Sequence, residues 1–266
     1  MKRIQICADD YGFDAAISQG ILECIDAGRI SATGCMVLSP AWPNWASALR
    51  ERKGMADYGL HLDLNEFAPY AEGRSLGLWI GCSYLRKLDI GVAGSWVNQQ
   101  LDAFESAMQS APDFVDGHQH LHQLPVIREA LLAALIERYG QRCALRSTRA
   151  SSWRGSKAAV IEFLGAGALR QRARAAGLRM NSDFAGVYGF SPAADYGQLV
   201  GDWLASMADG GLLMTHPGRS AGTETRPDAI RPARARERAF WLSAEAGELL
   251  ASLGVQLGLC EDWPQA

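Results

Sequence analysis

A chain of 266 residues, 48% of them hydrophobic and 21% charged, has the makeup of a folded globular protein, because disordered chains are poorer in apolar residues. With 26 basic residues against 29 acidic ones and no basic block, the net charge of −3 excludes broad nucleic-acid binding and points to a small or oligomeric uncharged substrate. No apolar run reaches the ~18 residues of a membrane span. The apolar run at the N-terminus is broken by Gln5 and stops at Asp9, too short for a signal-peptide core, so cytoplasmic residence is expected. Cys7, Cys24, Cys35, Cys82, Cys143 and Cys260 form no CxxC pair and read as buried free thiols.

Taken in order, β-like runs alternate with helix-length amphipathic segments. The first unit is a strand over 3–8, a turn at Gly12 and a helix over 14–27 closed by Gly28. Further strands are expected at 32–38, 58–64, 114–118, 143–147, 183–187, 212–216 and 255–259. Helices are expected at 44–52, 96–108, 126–139, 196–207 and 234–252. Seven or eight such units fit a closed (β/α) barrel, TIM-like or distorted and seven-stranded, in one domain over 1–266. The turn ADDYGFD after the first strand lacks the glycines of a dinucleotide fold. The segments 66–94 and 218–232 read as long loops, where binding surfaces tend to sit.

Three of the five histidines fall in Asp116-Gly117-His118-Gln119-His120-Leu121-His122. If the strand runs on, period-two alternation turns Asp116, His118, His120 and His122 to one face, a costly arrangement unless something binds there. The bland alternative is a polar strand end in solvent, or histidines pairing with carboxylates. His61, His216 and the pair Asp9-Asp10 stand in or at the ends of other strands, and a barrel gathers its C-terminal strand ends on one rim. Asp with two His suits Zn²⁺, Fe²⁺, Mn²⁺, Co²⁺ or Ni²⁺, and Mg²⁺ with added waters. Such an ion lowers the pKa of water and polarises a carbonyl, chemistry that hydrolyses an amide or ester. Neighbouring strand residues face opposite ways, so one of Asp9 and Asp10 is expected to bind metal and the other to serve as base or orient it, with His216 a candidate acid. Their competing reading is a helix N-cap before the first helix.

Ala8-Asp9-Asp10-Tyr11-Gly12, Gly59-Leu60-His61-Leu62, the Asp116 to His122 run and Thr215-His216-Pro217-Gly218 resemble, in order and spacing, the motifs of the YdjC-like carbohydrate deacetylases. That family includes chitooligosaccharide deacetylases and deacetylase-like proteins associated with hopanoid biosynthesis. The resemblance spans nearly the whole chain. It implies a barrel related to polysaccharide deacetylases, a divalent metal such as Mg²⁺ or Zn²⁺, and removal of acetyl from an N-acetylated sugar or oligosaccharide. Carried over by residue, it implies Asp10, His61 and His118 as ligands, with His120 the alternative to His118 because both face the same way in an ideal strand, Asp9 as base and His216 as acid. His120, His122 and Asp116 take supporting or substrate-contacting roles, and Arg146 resembles a family arginine near the site, expected either to orient Asp9 or to form a surface salt bridge.

Where many relatives continue with a Gly-x-Pro-Leu-like segment, this chain reads Asn65-Glu66-Phe67-Ala68-Pro69-Tyr70, so its substrate contacts are expected to differ. Tyr70, Trp79, Tyr84 and Trp153 are the aromatic candidates for stacking on sugar, with core or subunit packing the alternative. Aromatic loops and apolar helix faces are compatible with a homodimer. Two rivals are an iron oxygenase using the His61-Leu62-Asp63 pair, normally a jelly-roll chemistry, and a metal- or sugar-binding protein without turnover.

Overall fold

The computed structural model describes residues 1–71, 73–220 and 227–265. Its strands are β1 (Lys2–Tyr11), β2 (Ala32–Cys35), β3 (Asp57–Leu62), β4 (Phe114–Gly117), β5 (Ala144–Leu145), β6 (Phe184–Ala185), β7 (Gly211–Thr215) and β8 (Val255–Leu257). Each falls where the periodicity places one. All pair in parallel, in the order β5-β4-β3-β2-β1-β7-β6. β8 joins β1 beyond this path; Ile4 has Gly211 as its partner on one side and Leu257 on the other. The curled sheet is thus the distorted seven-stranded form rather than a regular eight-stranded ring.

Its two end strands, β5 and β6, are bridged by a side chain. Asn181 Oδ1 accepts the Ser147 N–H at 2.7 Å, while Nδ2 donates to the carbonyls of Ser147 at 2.9 Å and Asp183 at 2.8 Å. The amide substitutes for a ladder that two-residue strands are too short to form.

Parallel strands are covered on both faces, which is why Ile4, Ile6, Leu60, Leu62, Leu212 and Leu213 can all be apolar and buried. The covering helices are α1 (Ala15–Asp26), α2 (Trp42–Arg50), α3 (Leu76–Tyr84), α4 (Ile90–Met108), α5 (Ile127–Tyr139), α6 (Ser156–Phe163), α7 (Ala166–Ala175), α8 (Tyr196–Ser206), α9 (Arg231–Trp241) and α10 (Ala244–Ser252). Among the described residues no helix is long and apolar enough to cross a membrane.

Four readings of the sequence are corrected. The expected loop over 66–94 contains α3, capped by Ser75 Oγ on the Leu78 N–H at 3.3 Å, and the start of α4, capped by Asp89 on Val92 at 2.9 Å. The helix expected over 234–252 is two, because Ser243 caps α10 through the Ala246 N–H at 3.3 Å. Helices α6 and α7, parted at Gly165, have no counterpart among the expected elements. Of the expected loop over 218–232, residues 221–226 lie outside the described residues, and α9 begins inside its far end.

Candidate metal centre and active site

The strand expected to end at Ala8 runs on through Asp9 and Asp10 to Tyr11. Its register against β2 shifts between Ala8 and Tyr11, and Asp10 sits at φ +73°. Simple alternation would face the two carboxylates opposite ways; this bulge brings both into one cavity. Asp tolerates the left-handed region better than most residues, at a cost of roughly 1 kcal/mol or more. Nearby contacts hold it there. Asp10 Oδ1 lies 3.0 Å from His118 Nδ1 and 3.4 Å from His61 Nε2, and Oδ2 accepts from Arg234 at 2.7 Å. The helix cap is Asp14 instead, whose Oδ1 accepts the Ile17 N–H at 2.7 Å.

His61 on β3 and Asp116 on β4 are register partners, so they project from the same face. His61 Nδ1 lies 2.6 Å from Asp116 Oδ1, which leaves Nε2 turned to Asp10. Gly34 on β2 makes the room: a Cβ there would stand 3.0 Å from His61 Nδ1 and 3.2 Å from Asp116 Oδ1. Donor atoms of Asp10, His61 and His118 all lie within 4.8 Å of one another. A mixed nitrogen and oxygen set of that spacing, with its central imidazole oriented by a carboxylate, fits a divalent metal ion.

β4 stops at Gly117, so the four side chains from Asp116 to His122 do not share a strand face. His118–Gln123 is a 3₁₀ segment kinked at Gln119 (φ 52°) and His120 (φ 60°). The kink separates three roles that the sequence leaves together. His118 turns to Asp10, with its ring centroid 5.5 Å from that of His61. His120 lines the cavity beside Phe184, where burial and then the Arg146 charge hold it well below the ordinary imidazole range. His122 is buried with Nε2 3.1 Å from the Arg146 carbonyl, an anchor for the segment that carries the arginine.

Arg146 is completely buried, which removes the surface ion-pair reading. It grips Asp9 with two parallel bonds, Nη1 to Oδ2 at 2.7 Å and Nη2 to Oδ1 at 2.6 Å. Nη2 also lies 2.6 Å from Asp116 Oδ2 and 3.0 Å from Cys7 Sγ. Cys7, Asp9 and Asp116 cluster closely enough to resemble a second metal site, but the guanidinium already fills it. Burial opposes ionisation of Asp9, and Arg146 and then His61 outweigh it, holding the carboxyl below the ordinary carboxylate range. Burial likewise opposes charge on His61, yet Asp116 and Asp9 raise it well above the usual imidazole range.

His216 follows β7, and wholly buried Glu237 on α9 positions it. Glu237 accepts the His216 N–H at 2.5 Å, the Thr215 hydroxyl at 2.7 Å and the Tyr188 hydroxyl at 2.6 Å. Burial is the main reason His216 lies below the ordinary imidazole range. Its Nδ1 is buried with no hydrogen-bond partner among the described residues. Glu237, Arg234 and Asp228, which accepts from Arg234 Nε at 2.9 Å, were missed by sequence reasoning. Their signal was an Arg and a Glu three apart in an arginine-rich helix, which reads as a solvated face.

The aromatic candidates do not reach the cavity. Trp79 is wholly buried with its ring edge-on to Trp96 at 5.7 Å; Tyr70 stacks on Trp96 at 4.3 Å, and its hydroxyl accepts from Gln100 at 2.8 Å. Tyr84 and Trp153 lie at the surface, 47% and 77% exposed. The iron-oxygenase pair fails as well, because the Asp63 carboxylate accepts the N–H groups of Asn65, Glu66 and Phe67 at 3.0, 2.8 and 2.6 Å and so caps the following turn.

The carbohydrate deacetylase of Homo sapiens is 27% identical over 300 aligned positions, covering 98% of this chain and 90% of that protein. A solved structure from Enterococcus faecalis V583, provisionally described as a cellobiose-phosphate cleavage protein, superposes with a TM-score of 0.71 at 20% identity, covering 98% of both chains. The family 4 carbohydrate esterase from Streptomyces lividans, solved with acetate, superposes with a TM-score of 0.51 at 10% identity over 97% of this chain and 92% of that one, a likeness of fold. The family model described as YdjC-like protein matches residues 3–252, and the chain belongs to that family.

Proposed function

We propose that this protein is a metal-dependent hydrolase that removes the acetyl group from an N-acetylated amino sugar, with the chain over 1–266 working as one catalytic unit. The observation that carries the reading is the meeting of an Asp10–His61–His118 donor set with the arginine-held carboxylate of Asp9 on one cavity. The human relative bears the name carbohydrate deacetylase, and others are named chitooligosaccharide deacetylase.

Asp10, His61 and His118 would hold the metal, Mg²⁺ or Zn²⁺ being the leading choices for such donors. When bound, a divalent ion activates water and polarises the acetamide carbonyl. The protein's part is proton handling. Asp9, ionised and acceptor-only beside Arg146, takes the proton of the attacking water, and the two-point grip fixes the direction in which it does so. Asp116 holds the His61 tautomer that keeps Nε2 toward Asp10. His216, with an unpartnered ring nitrogen and a backbone anchored on Glu237, serves the departing amine. The six unpaired cysteines support a reducing compartment such as the cytoplasm.

The test is acetate release from N-acetylglucosamine, its β-1,4 oligomers and an acetyl ester, using chelated protein with single metals restored. Metal-dependent release, loss of metal and activity in Asp10→Ala, and retained metal with slow turnover in Asp9→Asn are expected. Full activity of Asp9→Asn, or release that survives chelation, overturns the assignment.

A further inference from the structure

Exposed apolar side chains are concentrated in two neighbouring segments. Nine of the thirteen large hydrophobics that stand in solvent among the described residues fall in 76–92 and 153–163, among them Leu85 at 68% and Phe163 at 86% exposed. The segments flank one stretch of chain. The Ser83 hydroxyl on α3 donates to the Pro125 carbonyl, and Gln123, two residues earlier, donates through Nε2 to the Ile161 carbonyl of α6 at 2.7 Å. Single exposed leucines need no explanation, but a concentration of this kind marks an interaction surface.

The same surface is basic. Residues 149–174 hold six basic side chains and one acidic one, Glu162, in a chain whose net charge is −3. Arg154 is neutralised by Asp183 at 2.7 Å, and Arg172 meets Glu129 at 3.2 Å. The other arginines are poorly matched. Arg149 Nε stands 3.9 Å from Glu162 Oε1, and Arg170 and Arg174 take part in no ion pair among the described residues. On α7 these two are one turn apart, a spacing that sets like charges side by side at a cost in stability. Burial, then the charges of Arg149 and Arg174, hold Arg170 below the ordinary guanidinium range. Glu162, the neighbour of Phe163, ties this cationic cluster to the apolar end of α6. Across the stretch 123–125, exposed Arg86 and Lys87 directly follow Leu85.

We propose that this face docks on a lipid bilayer bearing anionic headgroups, with Arg149, Arg170 and Arg174 on the headgroup phosphates and Phe163 and Leu85 at the acyl boundary. Apolar side chains set among unpaired cations are what such an interface receives. Contact is peripheral, because among the described residues no helix is long and apolar enough to cross a membrane. Charge selects this occupant over two others. A second copy pairing through the same face would set arginine against arginine. A nucleic acid, held through its phosphates, would leave the exposed leucines and Phe163 in water. Docking needs neither metal nor turnover, so the proposal goes beyond the deacetylase reading and does not depend on it.

The experiment is co-sedimentation of the full chain with vesicles of phosphatidylcholine alone and of equal parts phosphatidylcholine and phosphatidylglycerol, at low and high salt. Binding to the mixed vesicles about ten-fold or more tighter than to phosphatidylcholine, and weakened by salt, is expected. Arg170→Gln and Arg174→Gln each lower affinity for the mixed vesicles about five-fold. Phe163→Ser lowers it about ten-fold while keeping the salt dependence. Phe163 and Arg174 are exposed, so their variants unfold at the native denaturant midpoint, and Arg174→Gln, which relieves a like-charge pair, at or slightly above it. No binding to the mixed vesicles, equal binding to both compositions, or full binding by the Arg170→Gln/Arg174→Gln double variant overturns the proposal. So does displacement from the vesicles by a short DNA duplex together with unchanged binding of Phe163→Ser, which makes the face a polyanion site. A native dimer that Phe163→Ser converts to a monomer with unaltered vesicle affinity also overturns it, and makes the face a subunit contact.

Discussion

Asp116 touches no substrate, yet replacing it with Asn should disable the metal centre. The carboxylate is engaged on both sides, with Oδ1 2.6 Å from His61 Nδ1 and Oδ2 in an ion pair with Arg146 Nη2 at 2.6 Å. An amide in its place can satisfy only one of these neighbours. With the amide oxygen on His61, the NH₂ points at the guanidinium and a buried charge loses one of its two counter-ions. With the oxygen on Arg146, the NH₂ donates to Nδ1, and the proton of neutral His61 moves to Nε2, the nitrogen that must be bare to ligate. Loss of an orienting partner of this kind typically weakens metal binding 10- to 100-fold, about 1.4 to 2.7 kcal/mol. Breaking a buried charge pair costs about 3–5 kcal/mol, an upper bound here because Asp9 still holds Arg146. Competition against a chelating dye gives the first quantity, and denaturant unfolding of metal-free protein gives the second. If Asp116→Asn binds metal as tightly as the native protein and unfolds at the same denaturant concentration, the orienting role is refuted.

Gly34→Ala places a methyl 3.0 Å from His61 Nδ1 and 3.2 Å from Asp116 Oδ1, so it should weaken metal binding while leaving the fold intact; dye competition with circular dichroism checks both. In Glu237→Gln, one amide hydrogen must face one of three donors that now converge on the carboxylate, and kcat should fall about ten-fold or more with KM little changed. A pH effect on stability is expected at the opposite end of the barrel. Burial pushes Asp57 up to about 6 despite bonds from the Cys260 N–H and Gln5. Because the folded value is raised, its contribution is complete below the unfolded value near 4 and is lost as pH rises through about 6, roughly 3 kcal/mol in all. Unfolding free energies from pH 4 to 8 should show that decline in the native protein and a shallower one in Asp57→Asn.

Much of this architecture is legible in the chain because a parallel sheet needs apolar runs, and each of the eight runs became a strand. Elements on the surface are harder to read. Helix α6 has only Ala158 buried, so no core-facing stripe marks it, and α3 opens on a serine cap inside a glycine-rich stretch. Within the site, His61 and Asp10 could be singled out because they end apolar strands. The separate fates of His118, His120 and His122 could not, since they depend on two left-handed residues that no alternation rule foresees. Arg234 and Glu237 were hidden for a related reason: a buried ion pair and an exposed one look alike in a helix rich in arginine.

The Asn181 bridge between β5 and β6 also bears on how the molecule meets its neighbours in a crowded solution. An open sheet ends in unpaired N–H and C=O groups, which another chain can copy as an added strand, the first step toward aggregation. Here each terminal strand offers two residues, the Ser147 N–H and C=O are both taken by the Asn181 side chain, and the Leu145 N–H is taken by the Arg179 carbonyl at 2.9 Å. The barrel is left open in topology yet presents almost no edge for strand addition, so an incomplete ring can persist without the polymerisation hazard that an open sheet carries.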